Sequence, residues 1–350
     1  MSSHGSFFRP GIAAALGAAL LFGAGTPLAK TLLDSMAPWL LAALLYLGSG
    51  LGLLAWRALR RAPRAPLPRG DAPWLAGAVL AGGVIAPVLL MYGLGGMPAS
   101  GASLLLNVEG LFTAMIAWFA FRENFDRRIA LGMLAIVAGA VVLGWPSQMQ
   151  PGALWPALAV LGACLAWGVD NNLTRRVSLN DATWIAAVKG LSAGGVNLAI
   201  ALALGATLPR LPEIAGALAI GLFSYGISLT LFVLALRQLG SARTGAYFSV
   251  APFFGALIAI VLLGEPASAR LAVSGALMAL GVWLHLTERH SHEHLHEPLE
   301  HEHEHEHDEH HRHEHDPPVP PGVRHTHRHR HERLTHAHPH FPDAHHRHPH

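Results

Sequence analysis

Between His301 and His311 the chain reads HEHEHEHDEHH, imidazole alternating with carboxylate and ending in a doubled imidazole. Neutral imidazole with carboxylate is a borderline ligand set that suits Ni²⁺, Zn²⁺, Co²⁺ and Cu²⁺. Ligands at every second residue create many overlapping sites, so low selectivity among these ions is expected. The candidate ligands in an acidic first part are His292, His294, His296, His301, His303, His305, His307, His310, His311, His313 and His315. Those in a basic second part are His325, His327, His329 and His331, interleaved with Arg328, Arg330 and Arg333. The stretch PPVPPG, Pro317 to Gly322, separates the parts. Their opposite charge favours association, and a metal ion could bridge them. Twelve histidines lie in 290–315 and eleven in 325–350, 23 of the 25 in the chain. A segment so dense in groups that titrate near pH ~6.5 is also a pH-responsive polyelectrolyte. The pattern H-E-x-x-H recurs at His292 and His301. A repeated dipeptide produces it without the ordered helix and fixed third ligand of a zinc hydrolase.

A second set of candidates stands in apolar surroundings, where an ionisable side chain is costly and therefore a candidate site. Glu109 falls about halfway along an apolar run and could exchange a proton or meet a cationic group of a cargo. Asn107 lies two residues away, roughly 200° around a helix, so only one of the pair can face a given cavity. The stretch GVDNNLTRR brings Asp170, Asn171 and Asn172 to a helix end, and Lys189 lies across one short loop from them. An ion pair between Asp170 and Lys189, or a lysine reaching for the interface, competes there with a gating role. Ser224 and Ser228 share one helix face, and Tyr247 and Ser249 sit beside Pro252; such hydroxyls serve packing as readily as substrate contact.

The elements that must position these groups are membrane helices. Of 350 residues 52% are hydrophobic and only 13% charged, and from about residue 10 to 286 the apolar residues fall in runs of roughly 20, the length that crosses a hydrocarbon layer about 30 Å thick. Breaking the runs at Pro, Gly and charge clusters gives ten spans, near 10–33, 36–56, 73–95, 98–121, 128–145, 153–173, 182–204, 213–236, 242–264 and 268–286. The first is read as a retained helix rather than a cleaved signal, because its apolar pattern continues to Leu33 and recurs in the second half. Pro27, Pro87 and Pro252 are expected to interrupt the first, third and ninth spans and to expose backbone carbonyls at membrane depth. With the N-terminus inside, the inner segments of the membrane part hold fourteen Arg, against Lys30, Arg210 and Arg270 outside. That bias predicts that both termini face the cytoplasm. Residues 290–350 contain no apolar run and are expected to be disordered. Cys164 is the single cysteine, which excludes an intramolecular disulfide.

The chain also repeats itself. NVEGLFTAMIAWFAFREN from Asn107 aligns without gaps on SVAPFFGALIAIVLLGEP from Ser249, with Glu123 on Glu265 and, further on, Arg128 on Arg270 and Gly139 on Gly281. At an offset of 145, LGAALLFG from Leu16 falls on LGACLAWG from Leu161, and Trp39 on Trp184. Each half thus carries five spans. An odd number requires opposite insertion of the halves, the inverted-repeat plan of many secondary transporters.

Two five-helix repeats, each with an apolar run that ends in Glu (VAPFFGALIAIVLLGE and VEGLFTAMIAWFAFRE), resemble the EamA-type transporters of the drug/metabolite transporter superfamily. The resemblance covers residues 10–287 and implies an all-α integral membrane fold with repeats at 1–147 and 148–289. It does not extend to the His-rich tail, 290–350. The sequence departs from the family pattern at Glu109-Gly110, where a proline is usual at the second position, and at the second span, where Tyr46 is the nearest match to a common basic residue. The expected function is secondary transport by alternating access in the inner membrane, most simply export of small organic metabolites, with a tail that buffers metal or regulates the pore. Two alternatives stand beside it: a divalent metal transporter whose tail collects ions, and a membrane-anchored metal buffer or sensor. No enzymatic activity, required cofactor or nucleic-acid partner is expected. Lipid, the cargo and a second copy of the chain are the expected partners.

Overall fold

The computed structural model describes residues 10–62, 69–121, 127–145, 152–177, 181–239, 241–286, 291–296, 300–305, 325–330 and 334–339. It divides into two compact units, Met1–Glu288 and Arg289–His350.

In the first unit the described residues are helical. Six helices are long and apolar enough to cross a membrane: Gly11–Lys30, Pro38–Leu59, Ala72–Gly96, Ala99–Ile116, Thr183–Ala203 and Leu211–Ala235. Shorter apolar helices at Ala130–Gly144, Ala251–Leu263 and Ala269–Leu284, with Trp155–Val177, complete ten spans at the expected positions. Ala and Leu favour helix, and a backbone in hydrocarbon must satisfy its polar groups within its own segment. Local signals set the ends. Pro38 opens the second span, where its missing N–H is harmless. Asp181 caps the seventh by accepting the N–H of Trp184. Gly264 closes the ninth in the left-handed conformation at φ 67°.

The buried faces are built from small residues that let backbones touch. Gly50 and Gly190 meet where the second and seventh spans cross, and Gly48 lies against the backbone of Leu218 in the eighth. Gly139 and Gly281, matched by the repeat, both stand at the crossing of the fifth and tenth spans. There Ser274 donates to Gly139 O at 2.6 Å and Arg270 to Val142 O at 2.5 Å. Large apolar side chains such as Leu158 and Leu165 point outward, as a bundle surrounded by hydrocarbon requires.

Of the three spans expected to be interrupted, the third and the ninth are, and the first is not. Pro27 lies inside an unbroken helix, Pro10–Lys30, and Pro252 begins the helix Ala251–Leu263 rather than breaking one. A proline in the first turn of a helix costs nothing, because the N–H it lacks is already unpaired. In the third span the backbone is π-helical at Val79–Ile85, just before Pro87, as expected there, and the eighth span is π-helical at Leu222–Ile227. Turns at 106–107 and 249–250 break the fourth and ninth. Asn107 and Ser249, repeat partners, stand in these two turns.

In the second unit the described residues form four strands: β1 (Ser291–His296), β2 (Glu300–His305), β3 (His325–Arg330) and β4 (Leu334–Pro339). β1 pairs antiparallel with β4, and β2 with β3. The β2–β3 register sets Glu300 opposite Arg330 and Glu302 opposite Arg328, with His301, His303 and His305 opposite His329, His327 and His325. Period-two alternation of His with Glu in one strand and with Arg in the other produces this ladder, since opposite charges across a rung stabilise it. The remaining candidate ligands His307, His310, His311, His313, His315 and His331 lie outside the described residues.

Candidate substrate site in the membrane helices

The third span organises the site. Its π-helical turn displaces backbone carbonyls from the regular ladder, and side chains of neighbouring spans satisfy them. Gly82 O accepts the Tyr46 hydroxyl at 2.6 Å and the Trp167 indole N–H at 3.0 Å, while Gly83 O accepts Asn197 Nδ2 at 2.9 Å. Any side chain at position 82 would overlap the Asp170 carboxylate, so glycine is what allows the sixth span to bring Asp170 against this turn.

Asp170 is buried and pairs with Lys189 of the seventh span at 2.5 Å. Thr174 bridges the two, donating to Asp170 Oδ1 at 2.8 Å and lying 3.1 Å from Lys189 Nζ. The pair is thus an internal, hydrogen-bonded element rather than a lysine reaching for the interface.

One residue further on, Asn171 donates to Glu109 Oε1 at 3.0 Å and lies 3.1 Å from Thr113 Oγ1. Thr113 donates to the Glu109 carbonyl. Asn172 turns away, buried, to donate to Thr113 O and Gly168 O. Glu109 stands eleven residues from Pro98 and twelve from Phe121, so its carboxylate is at mid-span. Among the described residues no cation lies within ion-pair distance of it. Asn107, two positions away, is buried and donates to Leu104 O at 2.9 Å, repairing the turn in the fourth span. As expected, only Glu109 of the two faces the site.

Glu109, Asp170, Asn171 and Lys189 are therefore brought together, and Asn172 supports them. The other candidates lie elsewhere. Tyr247 packs on Ala14, Ala15 and Ala235, and Pro252 starts a helix. Ser228 donates to Ala18 O at 2.8 Å, and Ser224 fills the space beside Gly25, so both serve helix packing. Ser249 lies in the turn of the ninth span. Tyr46, Trp167, Thr113 and Thr174 were not legible as site residues; the Gly82-Gly83 pair was the available signal.

Four further charged residues hold the ends of the spans. Glu265 accepts the N–H groups of Ala99 and Ser100 at 2.7 and 2.8 Å, closing the N-terminus of the fourth-span helix. Lys30 donates to Leu94 O and Met97 O at the end of the third. Arg57 pairs with Asp181 at 2.5 Å, its guanidinium 5.5 Å from the Trp184 ring centroid. At Asp181 partial burial is the largest influence and raises the carboxyl, but the Arg57 hydrogen bond and charge and the Trp184 and Thr183 N–H groups together hold it below its ordinary value. A cleft of about 270 Å³ lined by Met97, Ser100, Trp145, Pro156 and Arg270 adjoins the Lys30 and Glu265 contacts, but no carboxylate lines it, so the chemistry argues for the Glu109 region instead.

Residues 9–145 and 154–287 each match the EamA-like transporter family. The chain belongs to this family. Its EamA domain therefore occurs twice, and the protein is a multi-pass membrane transporter in contact with lipid. It is 33% identical over 288 residues to an "Uncharacterized transporter" of Methanothermobacter thermautotrophicus, covering 76% of this chain and 83% of that one. It is 26% identical to the "Uncharacterized inner membrane transporter YedA" of Escherichia coli strain K12 over 67% of this chain and 77% of the relative. A crystal structure at 22% identity superposes with a TM-score of 0.59, covering 78% of this chain and 95% of that one, which supports the fold.

Proposed function

We propose that this EamA protein is a secondary transporter that exports small organic metabolites by alternating access around Glu109, with both termini cytoplasmic and a metal-binding tail. The observation that carries the reading is the Glu109 carboxylate: a mid-span charge with one oxygen held by Asn171 and no ion-pair partner among the described residues. A charge in hydrocarbon is retained where it has work to do. Two halves of five spans each, joined by irregular backbone at equivalent positions, support rocking of one repeat against the other. The fourteen-to-three distribution of basic residues supports the orientation.

Organic cargo is favoured over metal because, among the described residues, no three His, Cys, Asp or Glu side chains stand close enough to hold an ion. The tail supplies imidazole and carboxylate in quantity, a ligand set that supports binding of Ni²⁺, Zn²⁺, Co²⁺ or Cu²⁺ there. The test uses full-length protein and a form ending at Arg289, each in liposomes that enclose a metal-sensitive dye. Metal binding by the full-length form alone, without a dye response above empty liposomes, is the expected result. A dye response that is lost in Glu109→Gln would make metal the cargo.

A further inference from the structure

Around Glu109 the charges do not balance. Asp170 and Lys189 neutralise one another at 2.5 Å, which leaves the Glu109 carboxylate as the net charge of the cluster. Oε1 accepts from Asn171, and Oε2 has no hydrogen-bond partner among the described residues. A carboxyl group in a low-dielectric setting with no cation beside it is costly to ionise, and a cationic group brought against it would offset that cost.

An aromatic wall stands on the other side of the same region. Tyr46 and Tyr225 are stacked with ring centroids 5.7 Å apart, and Phe22 meets Tyr225 edge-on at 5.9 Å. Phe248 continues the row at 5.4 Å from Phe22. All four rings are half-buried. The Tyr225 hydroxyl makes no hydrogen bond among the described residues. Both tyrosines lie within electrostatic range of Glu109.

Asn171 is exposed, yet it lies about 120° around the helix from the lipid-facing Leu165. Gly110, next to Glu109, is exposed with nothing within 4 Å of where its Cβ would be. Exposed polar groups, a carboxylate oxygen without a hydrogen-bond partner among the described residues, and aromatic rings are thus supplied by the first, second, fourth, sixth, eighth and ninth spans. Ring faces attract cations, and a carboxylate completes the recognition of an ammonium group.

We propose that the cargo is an amphipathic organic cation, a protonated amine on an aromatic or planar apolar body, its ammonium at Glu109 and Asn171 and its body against Tyr46, Tyr225 and Phe22. This rests on the transport reading and narrows it. The test is calorimetric titration of the full-length protein in nanodiscs with three probes of one shape: tryptamine, tryptophol and indole-3-propionate. Tryptamine is expected to bind at least ten-fold more tightly than either of the others. Glu109→Gln should remove that preference, Tyr225→Leu should weaken tryptamine binding several-fold, and Tyr225→Phe should preserve it. Equal binding of the three probes, no binding of tryptamine, or a preference that survives in Glu109→Gln overturns the proposal. The two readings fail separately. Release of only neutral or anionic metabolites from reconstituted vesicles would sink the cation proposal and keep transport, whereas tryptamine binding without flux of any species would do the reverse.

Discussion

Asn171 Nδ2 lies 3.0 Å from Glu109 Oε1, and this is the hydrogen bond through which the sixth span fixes the mid-span carboxylate of the fourth. The donor comes from the second EamA repeat and the acceptor from the first. A shift of one repeat against the other must therefore stretch this contact or carry it along.

Asn171→Ala removes the donor and leaves the Asp170–Lys189 pair intact. A hydrogen bond to a charged group contributes ~1.5–3 kcal/mol, so the half-saturating cargo concentration should rise by about ten-fold or more. Saturation curves of vesicle release measure this, with thermal melting unchanged as the control. An unaltered curve would detach Asn171 from the site.

Lys189→Met leaves Asp170 buried without its cation, and loss of one partner of a buried pair costs ~3–5 kcal/mol. The double variant Asp170→Asn with Lys189→Met removes both charges and should recover most of that loss. Melting temperatures of the single and double variants in detergent decide the matter; equal destabilisation of both would mean that the pair does not act as a unit.

Position and type of the spans were legible in the sequence because hydrocarbon imposes length and composition on each of them. The pairing of Asp170 with Lys189 was legible too, since two costly charges across one short loop have few other partners. Tyr46 and Trp167 were not. Their role depends on Gly82 O, a carbonyl made available by a π-helical turn; Pro87 signalled an interruption of the third span but not which side chains would answer it. Of the prolines, Pro87 and Pro252 do follow irregular backbone in their spans, whereas Pro27 is accommodated inside an intact helix. Glu265, prominent in the repeat motif, caps the fourth-span helix of the other half, a partner 165 residues away that spacing alone cannot reveal.

Close helix crossings predict a contrast between glycines. In Gly190→Ala the new methyl would stand 2.8 Å from the backbone of Gly50, and the second and seventh spans must separate, at a cost of about 1–3 kcal/mol. Gly216 has open space at its Cβ position, so Gly216→Ala should be neutral or stabilise by up to ~1 kcal/mol through helix propensity. Thermal denaturation of the two variants side by side tests the contrast, which equal melting would contradict.

The Arg57–Asp181 contact predicts a pH dependence. A carboxyl held below its ordinary value in the folded state contributes stability above its unfolded pKa, near ~3.9, and that contribution fades as pH falls through the folded value. The stability difference between the protein and Asp181→Asn should be constant from about pH 7 to 5 and close below about pH 4. Melting curves across that range show it; a difference that closes near neutrality would assign the dependence to another group.

The most direct test of transport through Glu109 is release from vesicles. The full-length protein and Glu109→Gln are reconstituted in liposomes loaded with a defined metabolite mixture, and external species are followed by mass spectrometry. The account predicts a subset of species released faster than from protein-free liposomes, and loss of that release in Glu109→Gln at unchanged reconstitution and melting temperature. Release at equal rates from both proteins would contradict it.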